Sequence, residues 1–173
     1  CDSFIVDPHK WLFAPFDACA LVYRNPEIAK KAHYQKASYL ETLEDEHEWN
    51  PSDYAIHLTR RPRGLPFWYS LASNGTKAYA DAVEDTMDTT RIAVRLIKEH
   101  PNLDLLMEPT LSIVAFTRKG WNAEDYQEWS DDLLADQIGF VTPSSHKGKP
   151  ILRFAIVNPW TFEKDIKAIL ATL

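Results

Sequence analysis

The chain has 173 residues, room for one ordinary domain or two small ones, and 45% of them are apolar, which supports a packed core and argues against disorder. A net charge of −6 argues against general nucleic-acid binding. Two cysteines, Cys1 and Cys19, make no disulfide scaffold and fit a reducing cytosol, so a cytoplasmic protein is expected. No apolar run is long enough to span a bilayer, and no basic start followed by an apolar stretch suggests a signal peptide.

The chain opens on Cys1 and enters a strand pattern within three residues. Natural domains usually begin with a loose terminus. The expectation is therefore a chain whose N-terminal part is missing, with processing or a cloning boundary as the alternative. Phe4, Ile5 and Val6 read as a short buried strand stopped by Asp7-Pro8. Cys19–Tyr23 reads as a second strand ended by Asn25-Pro26, with Cys19 a buried small apolar residue. Residues 26–37 can form a helix with Pro26 at its first position. Residues 41–53 are acidic and lack apolar periodicity, so they are expected to form an exposed loop.

Arg60, Arg61 and Arg63 form a basic knot before Gly64. A helix from Pro66 to Asn74-Gly75 is expected, then a longer one with Tyr79, Val83, Met87, Thr90, Val94 and Ile97 on one stripe, ended by His100-Pro101-Asn102. Leu111–Thr117 reads as a strand. Asn122 caps a helix with Glu124 and Asp125 in its first turn, where the dipole favours them. Tyr126, Trp129, Leu133 and Leu134 form its apolar face and Gly139 its end. Residues 144–149 (SSHKGK) are a turn cluster. Ile151–Val157 reads as a strand, and Thr161 caps a last helix with Phe162, Ile166, Ile169 and Leu173 on one side. The second half thus reads as helices on one face of a small sheet, an α+β layer.

The chemistry concentrates around Lys10. A lysine amine is a useful nucleophile towards aldehydes once partly desolvated or placed beside another cation. His9 can donate to an anion, Trp11 offers an apolar wall, and Asp7-Pro8 fixes the turn. The residues alone leave two readings open: a presented nucleophile, or a surface lysine after a turn. The remaining histidines show no metal-ligand spacing, so no metal is expected. Arg60–Arg63 is too short a patch, in an acidic chain, for nucleic acid.

DSFIVDPHKW and the following ACALVYR resemble the pyridoxal-phosphate decarboxylases of the group II type that includes aromatic-L-amino-acid decarboxylase. DYAIHLTRRPRGLPFW (53–68) is similar to that family's R-R-x-R-x-L-x-x-W segment, and LRFAIVNPWTFEKDI (152–166) to its closing strand and last helix. The resemblance covers the whole chain but only the C-terminal portion of the family's length. It implies an α/β, aminotransferase-like (fold type I) architecture. Residues 1–74 would be the C-terminal part of the cofactor-binding large domain, and 75–173 a small α+β domain.

The resemblance also implies a lyase, a carboxy-lyase that converts an L-amino acid to its amine with pyridoxal 5'-phosphate as cofactor. Lys10 would carry the cofactor as a Schiff base. His9 would help hold its phosphate. Asp7 stands where some members carry asparagine and serves the turn. Tyr54 matches a family tyrosine on a catalytic loop, or is a packing tyrosine at a loop end. Gly64 could present its backbone N–H to a phosphate across a dimer interface. Arg63 would make a structural or cofactor-side contact there, or is a solvated charge. The implied partners are an amino acid substrate, a second copy in a homodimer and the missing N-terminal segment of the same protein. The 173-residue chain alone is expected to be inactive. Two other readings stand beside this one: a decarboxylating aldehyde synthase with the same cofactor, and a non-catalytic α+β interaction module made of residues 76–173.

Overall fold

The computed structural model describes residues 1–35 and 50–173. The acidic stretch 41–49 lies outside the described residues. The chain divides into two compact units, Cys1–Ser73 and Asn74–Leu173.

The first unit opens with an antiparallel pair, β1 (Ser3–Val6) and β2 (Ala20–Tyr23), in the register Ser3↔Tyr23 to Val6↔Ala20. The β-branched and aromatic residues account for the pairing. They do not find a core in this unit: Phe4 and Ile5 are 61% and 63% exposed, as are Leu21 and Val22 opposite them in large part. This corrects the expectation of a buried strand. Cys19 is likewise exposed, just before β2. Helix α1 (Pro26–His33) begins where Asn25 Oδ1 accepts from the Glu27 N–H at 3.1 Å and Pro26 fills the first position. It ends four residues earlier than the sequence suggested. A single 3₁₀ turn (Pro51–Tyr54) is capped in the same way by Asn50.

Helix α2 (Gly64–Glu99) is interrupted at Gly75, whose φ of 77° and ψ of 155° are open to glycine and strained for other residues. The helix starts two residues before Pro66, which is tolerated there because first-turn N–H groups have no intrahelical partner.

In the second unit the chain continues as β3 (Leu103–Leu105), β4 (Ile113–Arg118), α3 (Ala123–Ala135), β5 (Ser144–His146), β6 (Lys149–Ala155) and α4 (Glu163–Leu170). The four strands form one antiparallel sheet in the order β3-β4-β6-β5. Strand alternation puts Val114 and Phe116 of β4 opposite Phe154 and Leu152 of β6 on one buried face. Against that face pack Ala93, Val94 and Ile97 of α2, Tyr126, Trp129 and Leu133 of α3, and Ile166 and Leu170 of α4. The α2 stripe reaches the core through Thr90, Val94 and Ile97, with Thr86 buried beside them, while Tyr79, Val83 and Met87 are only partly buried. The Thr90 hydroxyl donates to the Thr86 carbonyl at 2.8 Å, which satisfies it inside the helix.

Several details depart from the sequence reading. Strands β3 and β5 were not expected. The turn cluster at 144–149 is a hairpin in which Lys147 and Gly148 take φ of 50° and 76°, the two positive values a two-residue type I′ turn needs. Leu134 is exposed rather than on the apolar face of α3. That helix ends at Ala135, with Gln137 in the left-handed conformation and the Ile138 N–H returning to the Leu133 carbonyl at 3.1 Å. Gly139 serves packing instead. A Cβ there would lie 3.0 Å from Ile169 Cδ1, so the bare backbone lets α4 approach. Phe162, not Thr161, is the N-cap of α4, its N–H donating to Asp165 Oδ2 at 2.9 Å.

Candidate active site

Between β1 and β2 the chain runs through Asp7–Cys19 as a loop folded on itself. The Lys10 N–H donates to the Asp7 carbonyl and the Ala14 N–H to the Pro8 carbonyl, both at 3.0 Å. Pro8, Ala14 and Ala18 are buried. His9 staples the two ends of the loop. Its Nδ1 lies 2.6 Å from the Ala18 carbonyl oxygen and 3.2 Å from the Ala18 nitrogen. One nitrogen cannot serve both, and the shorter contact gives Nδ1 a proton donated to the carbonyl. The ring also meets Phe16 edge-on at 5.0 Å. Nε2 is the nitrogen left to meet a ligand.

Lys10 sits in the turn this loop creates. Its side chain is 67% exposed and Nζ lies 2.6 Å from Asp7 Oδ2. The hydrogen bond from Lys10 is the main cause that holds the Asp7 carboxyl below its ordinary value. The charges of Lys10 and His9 and the thiol of Cys19 add to it, against desolvation. Asp7, His9, Lys10 and Cys19 thus form one constellation.

A second clamp ties the loop to the basic knot. Arg61 Nη2 reaches Asp17 Oδ1 at 3.0 Å and Arg63 Nε reaches Asp17 Oδ2 at 3.1 Å. Desolvation raises the Asp17 pKa, but the hydrogen bonds and charges of these arginines outweigh it and leave the carboxyl below its ordinary value. Asp17 went unnoticed in the sequence because a lone aspartate 44 residues from its partner carries no local pattern.

Tyr54 and Gly64 lie on other elements of the unit. Tyr54 ends the 3₁₀ turn, which is held to α1 by Lys30 Nζ on Asp53 Oδ2 at 3.1 Å; just beyond the two elements, Gln35 Nε2 donates to the Ile56 carbonyl at 3.2 Å. Gly64 opens α2, and a Cβ there would meet nothing within 4 Å, so packing in this unit does not require glycine. Among the described residues no group of three or more His, Cys, Asp or Glu could hold a metal ion, and no helix is long and apolar enough to cross a membrane.

The Lys10 amine, in a loop at the end of β1 and next to His9 in the sequence, is the candidate nucleophile of this unit. A solved structure of Oryza sativa TDC with PLP and tryptamine superposes with a TM-score of 0.85 at 20% identity, covering 99% of this chain and 38% of that one. Mouse CSAD in apo form gives 0.77 at 22% identity, over 98% of this chain and 38% of that one. These likenesses establish the fold, the fold type I architecture of such decarboxylases. The family model described as the pyridoxal-dependent decarboxylase conserved domain matches residues 1–119, and the chain belongs to that family. Aromatic-L-amino-acid decarboxylase of Bacillus atrophaeus is 26% identical over 98% of this chain. The chain spans 37% of that relative's length.

Proposed function

We propose that this chain is the Lys10-bearing part of a pyridoxal-phosphate-dependent carboxy-lyase acting on an L-amino acid. The observation that carries the reading is the Lys10 amine, presented by a hydrogen-bonded loop within the segment the family model matches. The donor set fits the cofactor. An exposed primary amine is the group an aldehyde requires, and His9, its Nδ1 anchored on Ala18, keeps Nε2 for a phosphate.

Bound there, pyridoxal phosphate supplies an electron sink for breaking the bond between Cα and the carboxylate. The chain's own residues do the rest. Lys10 holds the aldehyde carbon through Nζ and, once released, can carry a proton at that nitrogen. His9 offers Nε2 to an anionic oxygen. Asp7 orients Lys10 and shapes the turn. Asp17 fixes the far end of the loop through Arg61 and Arg63. Tyr54 offers a phenolic proton from a turn that α1 holds in place, and Gly64 a backbone N–H at the head of a helix.

We further propose that the chain acts with more of a longer protein, since it spans 37% of that relative's length, and that the protein is a homodimer in the cytoplasm. The exposed apolar residues of β1 and β2 are consistent with such company. The test is release of carbon dioxide and amine from a panel of aromatic, histidine and acidic amino acids by the full protein carrying this chain. Wild type should turn over at least one of them and Lys10→Ala none. Turnover by Lys10→Ala at the wild-type rate would overturn the reading. Hydrogen peroxide and aldehyde in place of amine would show the aldehyde-synthase chemistry instead.

A further inference from the structure

Asp7 does more than shape a turn. Its carboxylate lies 2.6 Å from the one atom that must become a nucleophile, Lys10 Nζ. Asp7 itself is about one-third exposed, so the pair stands at the surface of the loop and can open without unfolding it.

We propose that Asp7 is a guard on Lys10: its carboxylate holds Nζ in an ion pair, and attachment of any aldehyde requires that pair to open first. The inference rests on the reading of Lys10 as the cofactor lysine. It concerns how reactive that lysine is rather than what it binds. The chemistry fixes the direction. An ammonium has no lone pair to give. To react, Nζ must leave Asp7 and lose a proton to solvent. It then forms the C–N bond with its freed pair, and the aldehyde oxygen departs as water after the second N–H proton is lost. While the pair is closed, Nζ is held on the carboxylate and is not available to an aldehyde. An asparagine in its place would still support the turn and would not hold the charge.

An exposed pair of this kind is worth a factor of about two to five in an equilibrium. The test uses formaldehyde with cyanoborohydride, a probe that needs no cofactor pocket. The hydride reduces the imine and leaves a methylated lysine, and peptide mass spectrometry follows each site. Asp7→Asn should raise the methylation rate of Lys10 about two- to fivefold. Lys77, paired with Asp81 at 2.6 Å on α2, should not change. In wild type, raising sodium chloride from about 0.05 to about 0.5 M should raise Lys10 methylation relative to free Nα-acetyl-lysine amide, because salt screens the pair. That arm needs no variant and survives a folding failure of Asp7→Asn. A Lys10 rate that is unchanged or lower in Asp7→Asn, or unmoved by salt, would overturn the guard. The cofactor reading is tested apart from this, by whether pyridoxal phosphate attaches to Lys10 at all, so either idea can fail alone.

Discussion

The second unit should depend on Phe116 more than on its other large apolar residues. Phe116 is fully buried in the middle of β4, paired with Leu105 on one side and Leu152 on the other. Its ring lies 4.9 Å from that of Phe154. Truncation to alanine removes the transfer energy of a whole ring and leaves a cavity. Because the position is pinned by ladders on both sides, little collapse can follow, and the cost should fall within about 3–5 kcal/mol. About 0.5–1.5 kcal/mol of this is the aromatic pair itself. A loss of about 4 kcal/mol in a unit of this size lowers its melting temperature by roughly 16–30 °C. Urea or thermal unfolding followed by helical circular dichroism would measure it, with Phe140→Ala as control. Phe140 is 71% exposed, and its truncation should cost within about 0.5 kcal/mol. Equal losses in the two variants would refute the account of where the core sits.

Three further outcomes are expected. Asn122→Ala removes an acceptor that takes the Glu124 and Asp125 N–H groups at 2.7 and 3.2 Å, and should destabilise the second unit by about 1 kcal/mol in urea unfolding. Hydrogen bonds from Lys167 and then Arg95 hold the Glu163 carboxyl below its ordinary value of 4.5. A depressed folded value means that its contribution is complete above 4.5 and is lost as pH falls through the folded value. The gap in urea midpoint between wild type and Glu163→Gln should therefore be largest near neutrality and close in acid. Asp17→Asn frees Arg61 and Arg63, and should speed amide exchange at Lys10 and Ala14 about two- to fivefold as the Lys10 loop loosens, while α3 amides keep their rates.

The sequence carried the second unit further than the first, and the reason is physical. The repeats along α2 and α3 recur over several turns, and Thr90, Val94, Ile97, Tyr126, Trp129 and Leu133 are buried. The strands β4 and β6 alternate long enough to show which side is buried. Strands β3 and β5 are three residues each and have no period to read. In the first unit, Phe4 and Ile5 have the composition of a buried strand but are exposed. An apolar run records what its side chains favour, not whether a partner is present. Cys19 misleads for the same reason, since it is exposed. At the last N-cap the structure uses Asp165, reaching back to the Phe162 N–H.

At the candidate site, Asp7, His9 and Lys10 were legible because they are contiguous. The local turn makes them neighbours whatever the rest of the fold does. The Asp17 clamp was not, because it joins residues that only the folded chain brings together. Tyr54 and Gly64 were placed by resemblance alone. The structure gives each a local setting, the 3₁₀ turn beside α1 and the head of α2.

The central claim is that Lys10 is the residue that takes pyridoxal phosphate. Its most direct measurement is peptide mapping after the protein is incubated with the cofactor and reduced with borohydride, which turns a labile attachment into a stable secondary amine. The account expects the pyridoxyl mass on the peptide that contains Lys10, and none there in Lys10→Ala. A label spread evenly over exposed lysines such as Lys77, with no preference for Lys10, would contradict it.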